Sequence, residues 1–162
     1  GGFKRMRILD AMGTFPNVVP TVQFASATFD RNEGDATNTM TFTVTRTGPA
    51  AVIADSPSSV LVSSTVGGTA TPGTTGTTDY VAFLNQVVNF APRETSKTAS
   101  ISLRGDFTIE PIETVALSLS NPFAALLGAQ RTATLRIVND DLPGTIFFDQ
   151  LGVFTVNETA GA

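Results

Sequence analysis

The chain has no cysteine, no histidine and no tryptophan, and a single tyrosine. Without His or Cys it cannot assemble a Ser–His–Asp or Cys–His nucleophile, a thiolate centre, or the usual zinc, copper or haem ligands. Without Cys the fold needs no disulfide, and the redox compartment stays open. Lysine is nearly missing, with copies only at Lys4 and Lys97, and the net charge is −4 with a pI of 4.6. That balance argues against a nucleic-acid partner, which needs a basic face, and Lys4, Arg5 and Arg7 are too few to build one. No apolar run approaches the roughly 20 residues of a membrane span, so no direct insertion is expected. The opening GGFKRMRILDAMG carries basic residues but no apolar core of a signal peptide, so an export signal is expected outside it.

What is present is threonine, with 25 copies, together with many Val and Ile, 14 Gly and 9 Pro in 162 residues. This is the composition of short strands and tight turns. TMTFTVTRT (39–47) shows the pattern most plainly. Met40, Phe42 and Val44 point one way, and Thr39, Thr41, Thr43 and Thr45 the other. Similar alternation marks strands at 21–29, 59–65, 97–104, 113–120 and 131–138, with one or two kinked strands in 80–90. Residues 48–58 and 67–78 read as loops, and 121–130 as a connection able to hold a helical turn. No helix of ordinary length fits anywhere. The expectation is an all-β, immunoglobulin-like antiparallel sandwich of about seven strands.

The chain also repeats itself. TIFFDQLGVFTVNETAGA (145–162) parallels TVQFASATFDRNEGDA (21–36). The reading is therefore a linker or arm at 1–20, one domain at 21–143, and the first strand of a second, truncated repeat at 144–162. An unpaired strand can fold back on its own chain or complete a neighbouring one. The partners expected are thus neighbouring repeats or identical subunits, joined by strand addition through 144–157.

Three of the 14 acidic residues, Asp106, Glu110 and Glu113, lie within eight positions at one strand entrance. Alternating strand direction brings more acids to the same place. The strand at 131–138 runs back beside 113–120 and exits at Asn139-Asp140-Asp141. The strand beginning at Tyr80 enters after Asp79, and the strand at 39–47 enters after the loop that carries Glu33. Seven carboxylates thus share one rim: Glu33, Asp79, Asp106, Glu110, Glu113, Asp140 and Asp141. Such crowding raises each pKa, and a hard cation relieves it. Ca²⁺ takes six to eight oxygens in flexible geometry, whereas Mg²⁺ wants a tighter octahedron. From the residues alone, ordinary solvated loop charges remain the alternative. A glycosidase carboxylate pair is disfavoured, because nothing here suggests an aromatic sugar cleft.

NEG (32–34), TFTVTRTG (41–48), GGTATPG…TTDY (67–80), VVNFAPRET (87–95), GDFTIEPIETVALSLS (105–120) and LRIVNDD (135–141) appear in that order. In this combination the chain resembles the Calx-β domain, a repeat of sodium–calcium exchangers, an integrin, and large bacterial and matrix proteins. The resemblance implies a seven-stranded sandwich with Ca²⁺ held at one end. Carried over by motif, the ligands are Glu33, Asp79, Asp106, Glu110, Glu113, Asp140 and Asp141, with Thr108 offering a backbone carbonyl. Gly105 and Phe107 flank a single Asp where strong binders have an Asp run, Pro111 and Ile112 replace further acids, and Asn139 replaces a third terminal Asp. One to three Ca²⁺ of modest affinity are therefore expected. Arg93 stands where the family's turn usually has Gly. The expected role is a Ca²⁺-binding structural or adhesive repeat of an extracellular, bacterial surface protein, with no catalytic residues. A regulatory Ca²⁺ sensor of a membrane protein and an accessory module of a secreted enzyme are the alternatives.

Overall fold

The computed structural model describes residues 18–75 and 77–143. The arm at 1–17 and the strand expected at 144–157 lie outside them. Two sheets pack face to face. One has the order β6-β3-β1-β8 and the other β2-β9-β7-β4-β5. The strands are β1 (Thr21–Phe24), β2 (Thr28–Asn32), β3 (Asn38–Thr47), β4 (Ser58–Thr65), β5 (Gln86–Phe90), β6 (Ser96–Leu103), β7 (Glu113–Phe123), β8 (Leu126–Leu127) and β9 (Thr132–Val138).

The alternation read from sequence is what fills the core. Met40, Phe42 and Val44 of β3 are buried with Val60 and Val62 of β4, Val115 and Leu117 of β7, and Leu135 and Ile137 of β9. At the centre, Phe42 meets Phe24 edge-on at 6.0 Å and stacks on Phe83 at 6.3 Å. Burying such rings supplies most of the drive to fold, about 25 cal/mol per Å² of apolar surface.

Several expectations need correction. The run 21–29 is two strands rather than one. It breaks at Ala25–Ala27, where the Ser26 hydroxyl accepts the Thr28 N–H. β1 stays in the first sheet and β2 crosses to the second. The sandwich is also not wholly antiparallel, because β1 runs parallel to β8 and β2 parallel to β9. The stretch 48–58 is not all loop: α1 (Ala50–Asp55) is a single helical turn and a half, anchored by buried Ile53. Residues 121–130 hold no helical turn. β7 continues to Phe123 and β8 follows, with positive φ at Asn121 and Ala124 making the bends. The kinked reading of 80–90 needs no correction: β5 is its one full strand, entered through the kink at Asn85 (φ 56°), while Tyr80 makes single bridges.

The molecule has two distinct ends. Thr21 faces Thr47, and Ser58 faces Phe90, at the far end. Asn38 faces Leu103, Glu113 faces Ile137, and Asn32 faces Val138 at the other, the rim. The chain enters at the far end and leaves at the rim.

The far end is pinned by Arg46, which occupies the inward position after Val44 and is 1% exposed. Its guanidinium donates to the carbonyls of Glu94 (2.8 Å), Ser56 (2.9 Å), Ala91 (2.9 Å) and Ile53 (3.3 Å) and to the Ser58 hydroxyl (3.2 Å). It also lies over the Phe90 ring at 5.4 Å. Five donors meeting five oxygens explain how an arginine without a carboxylate partner is kept inside.

Candidate metal centre

Each rim acid is placed by a different segment. Glu33 follows β2, and its N–H donates to the Val138 carbonyl at 3.0 Å, continuing the parallel β2–β9 pairing. Because those strands run the same way, both exit at the rim, and Glu33 arrives beside Asn139–Asp141. Asp79 is held before Tyr80, where its carbonyl accepts the Arg104 N–H at 2.8 Å. Asp106 and Glu110 ride on the loop between β6 and β7, and Glu113 is the first residue of β7.

These carboxylates form two groups. Oxygens of Glu33, Asp106 and Asp141 lie within 4.8 Å of one another, and so do oxygens of Asp79, Glu110 and Glu113. Six of the eight residues singled out from sequence therefore fall into two triads. Asp140 stands in neither: it is exposed, and its Oδ1 accepts the Gly34 N–H at 2.9 Å, closing the turn after Glu33. Thr108 is exposed, and its N–H donates to Asp106 Oδ1 at 2.6 Å, which folds the loop tip and aims the carboxylate.

Burial and mutual repulsion dominate the electrostatics of the site. Glu33 is 5% exposed, and its Oε1 has no hydrogen-bond partner; Asp141 Oδ2 is likewise buried and unpartnered. Burial pushes the Glu33 carboxyl from 4.5 up to about 7, helped by a hydrogen bond with Asp141 and by the charges of Glu110, Asp141 and Asp106. Burial likewise pushes Glu113 up to about 7, with a hydrogen bond to Asp79 and the charges of Asp79 and Glu110 adding to it. Glu110 is raised by burial and by Asp79, Asp106 and Asp141. Among the described residues the ion pairs are Lys97–Glu94 and Arg136–Asp30, and neither involves a rim carboxylate of the triads. An oxygen-rich, nitrogen-poor, sulfur-free donor set with orphaned buried oxygens suits a hard divalent cation.

Three residues that build the rim were not among the predicted ligands. Asn139 Oδ1 accepts the Glu110 N–H at 3.0 Å while its Nδ2 donates to the Asp141 carbonyl at 3.1 Å. It ties the two triads together, a task an aspartate could not complete because it has no donor. Asn38 donates from its side chain to the Glu33 carbonyl. Gly105 packs so tightly that a Cβ there would collide with the Gly34 carbonyl oxygen. In sequence, Gly105 and Asn139 look like missing acids. In space they are what lets the acids meet.

The model of the Calx-beta domain matches residues 16–141. The chain belongs to the Calx-beta domain family. It is 36% identical over 86 residues to the human extracellular matrix organizing protein FRAS1, a stretch that is 53% of this chain and 2% of that protein. Its fold is similar to the crystal structure of the apo-form Calx CBD1 domain, with a TM-score of 0.59 and 22% identity, over 76% of this chain and 99% of that one. It is also similar to the calcium binding domain CBD12 of CALX1.1, with a TM-score of 0.60 and 24% identity, over 74% of this chain and 44% of that one. At those identities the solved structures speak to the fold. The Calx-beta sandwich expected from sequence is present, with nine strand segments among the described residues in place of seven because the broken first strand and the short β8 count separately.

Proposed function

We propose that the rim binds Ca²⁺ and that the chain is a Ca²⁺-stiffened structural module of an extracellular or cell-surface protein. The observation that carries this is Glu33, a buried carboxylate set against Asp106 and Asp141 with an oxygen left unpartnered. Two triads favour two ions, inside the expected range of one to three. Glu33, Asp106 and Asp141 would hold one, and Asp79, Glu110 and Glu113 the other. Asp140 and the Thr108 carbonyl stand close enough in sequence to complete the oxygen set. When bound, the ion supplies charge compensation and cross-links the turn after β2, the acid loop and the exit from β9. The chain's own part is to hold the carboxylates at fixed spacing before the ion arrives. Affinity is modest, because the acid loop carries fewer acids than an Asp run. The module binds rather than catalyses. A relative that organises extracellular matrix supports the placement outside the cell.

The test is calorimetric titration of the chain with Ca²⁺ and, separately, Mg²⁺, with ion number read by native mass spectrometry. Two bound Ca²⁺ in the wild type, and none in Asp106→Asn with Asp141→Asn and Glu110→Gln, support the reading. No heat and no bound ion at millimolar Ca²⁺ overturn it.

A further inference from the structure

One segment of the fold serves neither the core nor the ion site. GGTATPGTTGTT (67–78) holds six threonines and a proline in twelve residues, and no charge. Threonine-rich stretches that carry proline have the composition of O-glycosylated segments. The structure adds how this one is presented. Its neck is closed by the Asp79 N–H on the Thr71 carbonyl and the Gly73 N–H on the Tyr80 carbonyl, both at 2.9 Å. Ala70 is buried, and Pro72 forms a bridge with Tyr80. Beyond that neck Thr74 and Thr75 are exposed.

A glycosyltransferase must take both the acceptor hydroxyl and the adjoining main chain into its cleft. That requirement sets Thr74 apart from most exposed hydroxyls. Thr39, Thr41, Thr98 and Ser100 are exposed, but their main chain is committed to the β3–β6 ladder. The Thr69 hydroxyl accepts the Thr114 N–H at 2.9 Å, and the Thr75 carbonyl accepts the Thr78 hydroxyl at 2.6 Å. The Thr95 carbonyl accepts the Arg46 N–H, and the Ser26 hydroxyl accepts the Thr28 N–H. Thr108 stands between Asp106 and Glu110. Thr74 is exposed, and neither its main chain nor its hydroxyl is hydrogen-bonded among the described residues. It also borders an open notch of about 270 Å³, lined by Pro72, Gly73, Thr74, Val81 and Ala82. No charged side chain lines that notch, and the neighbouring Asp79 carboxylate is turned to the Thr71 N–H.

We infer that Thr74 is the acceptor for an O-linked N-acetylhexosamine and that the notch seats the sugar. The donor is a nucleotide-activated N-acetylhexosamine. Thr74 Oγ1 attacks its anomeric carbon, and the bond from that carbon to the phosphate oxygen breaks. The nucleoside diphosphate leaves with the electron pair, and the hydroxyl proton passes to a basic group of the transferase. The acetyl methyl and ring C–H groups then cover Pro72 and Val81, while the sugar hydroxyls stay in water. The inference goes beyond the ion-binding reading and shares with it only the placement outside the cell.

The experiment incubates the folded chain 1–162 with UDP-N-acetylgalactosamine and a polypeptide N-acetylgalactosaminyltransferase. Intact mass gives the sugars added, and fragmentation mass spectrometry gives their positions. The wild type gains one sugar at Thr74, Thr74→Ser keeps that gain, and Thr74→Val loses it. Thr74 is exposed, so both variants keep the wild-type melting curve. On modification the NMR methyl signals of Val81 shift and those of buried Val60 do not. A folded wild type without sugar at Thr74, or a Thr74→Val chain that takes as much sugar within 71–78 as the wild type, overturns the inference. An unmoved Val81 signal overturns the seating of the sugar. Ca²⁺ titration of the same samples is read separately. Ion binding without sugar at Thr74 defeats this inference alone, and sugar at Thr74 without ion binding defeats the ion site alone.

Discussion

Glu33 and Asp141 are two carboxyl groups with oxygens within 4.8 Å of each other, and each keeps a buried oxygen that nothing in the described protein satisfies. That contact requires one of the pair to hold a proton or a cation to sit between them. The account of this domain follows from that choice.

The first consequence is a pH dependence. Glu33 and Glu113 have folded values near 7, above the ordinary 4.5. Groups raised in this way contribute stability that is fully present below about pH 4.5 and is lost as pH rises through about 7. Without Ca²⁺, the melting temperature therefore falls between pH 5 and 8. With saturating Ca²⁺ the decline flattens, and Ca²⁺ uptake at pH 6 releases protons. Melts across that range with chelator, and calorimetry in buffers of different ionisation heat, check both.

Glu33→Gln has effects of opposite sign in the two states. Removing one buried charge relieves the repulsion, so the Ca²⁺-free variant at pH 8 is more stable than the wild type by about 1–2 kcal/mol. The same variant loses most of its Ca²⁺-induced stabilisation. Denaturant unfolding with and without Ca²⁺ measures both at once.

Gly105→Ala tests how the rim is built. A methyl group there meets the Gly34 carbonyl. The loop must shift, separating Asp106 from Glu33. The substitution costs roughly 1–3 kcal/mol of stability and weakens Ca²⁺ binding at least about ten-fold. An Ala variant with unchanged ion affinity would show that Asp106 is not a ligand.

Arg46→Ala acts at the other end. It strands the carbonyls of Glu94 and Ser56, leaves those of Ile53 and Ala91 with a backbone N–H alone, and opens a cavity beneath Phe90. About 3 kcal/mol is lost. Ca²⁺ affinity of the folded variant is unchanged, because the rim lies a full strand length away.

Arg93 is the departure from the family's turn pattern that the structure explains most directly. It adopts φ 71°, the left-handed region that favours Gly, and its N–H donates to the Ile53 carbonyl at 2.7 Å. Arg93→Gly keeps that bond and removes the strain. It changes stability upward by up to about 1 kcal/mol, measured by denaturant midpoint.

The core and the rim were readable in the sequence for different reasons. Residues such as Met40, Phe42 and Val44 alternate because a sheet with one buried face demands it. The rim acids could be gathered by counting strand reversals, since β3, β6, β7 and β9 pair antiparallel in the expected way. What escaped is whatever alternation does not encode. The crossing of β2 to the second sheet depends on three exposed residues, Ala25–Ala27, that carry no period. α1 is too short for a helical period to register. Arg46 sits on the apolar side of a strand, where sequence alone gives no sign that carbonyls from two loops will converge on it. Asn139 and Gly105 read as lost charge, because their work is to position backbone and neighbours.

The most direct test is the melting temperature of residues 1–162 in excess Ca²⁺, in excess Mg²⁺ and in chelator at pH 7.5. A ligand that binds only the folded state raises the midpoint by mass action. The account predicts a rise with Ca²⁺ that Mg²⁺ does not match and that Asp106→Asn with Asp141→Asn abolishes. Superimposable melts in millimolar Ca²⁺ and in chelator would contradict it.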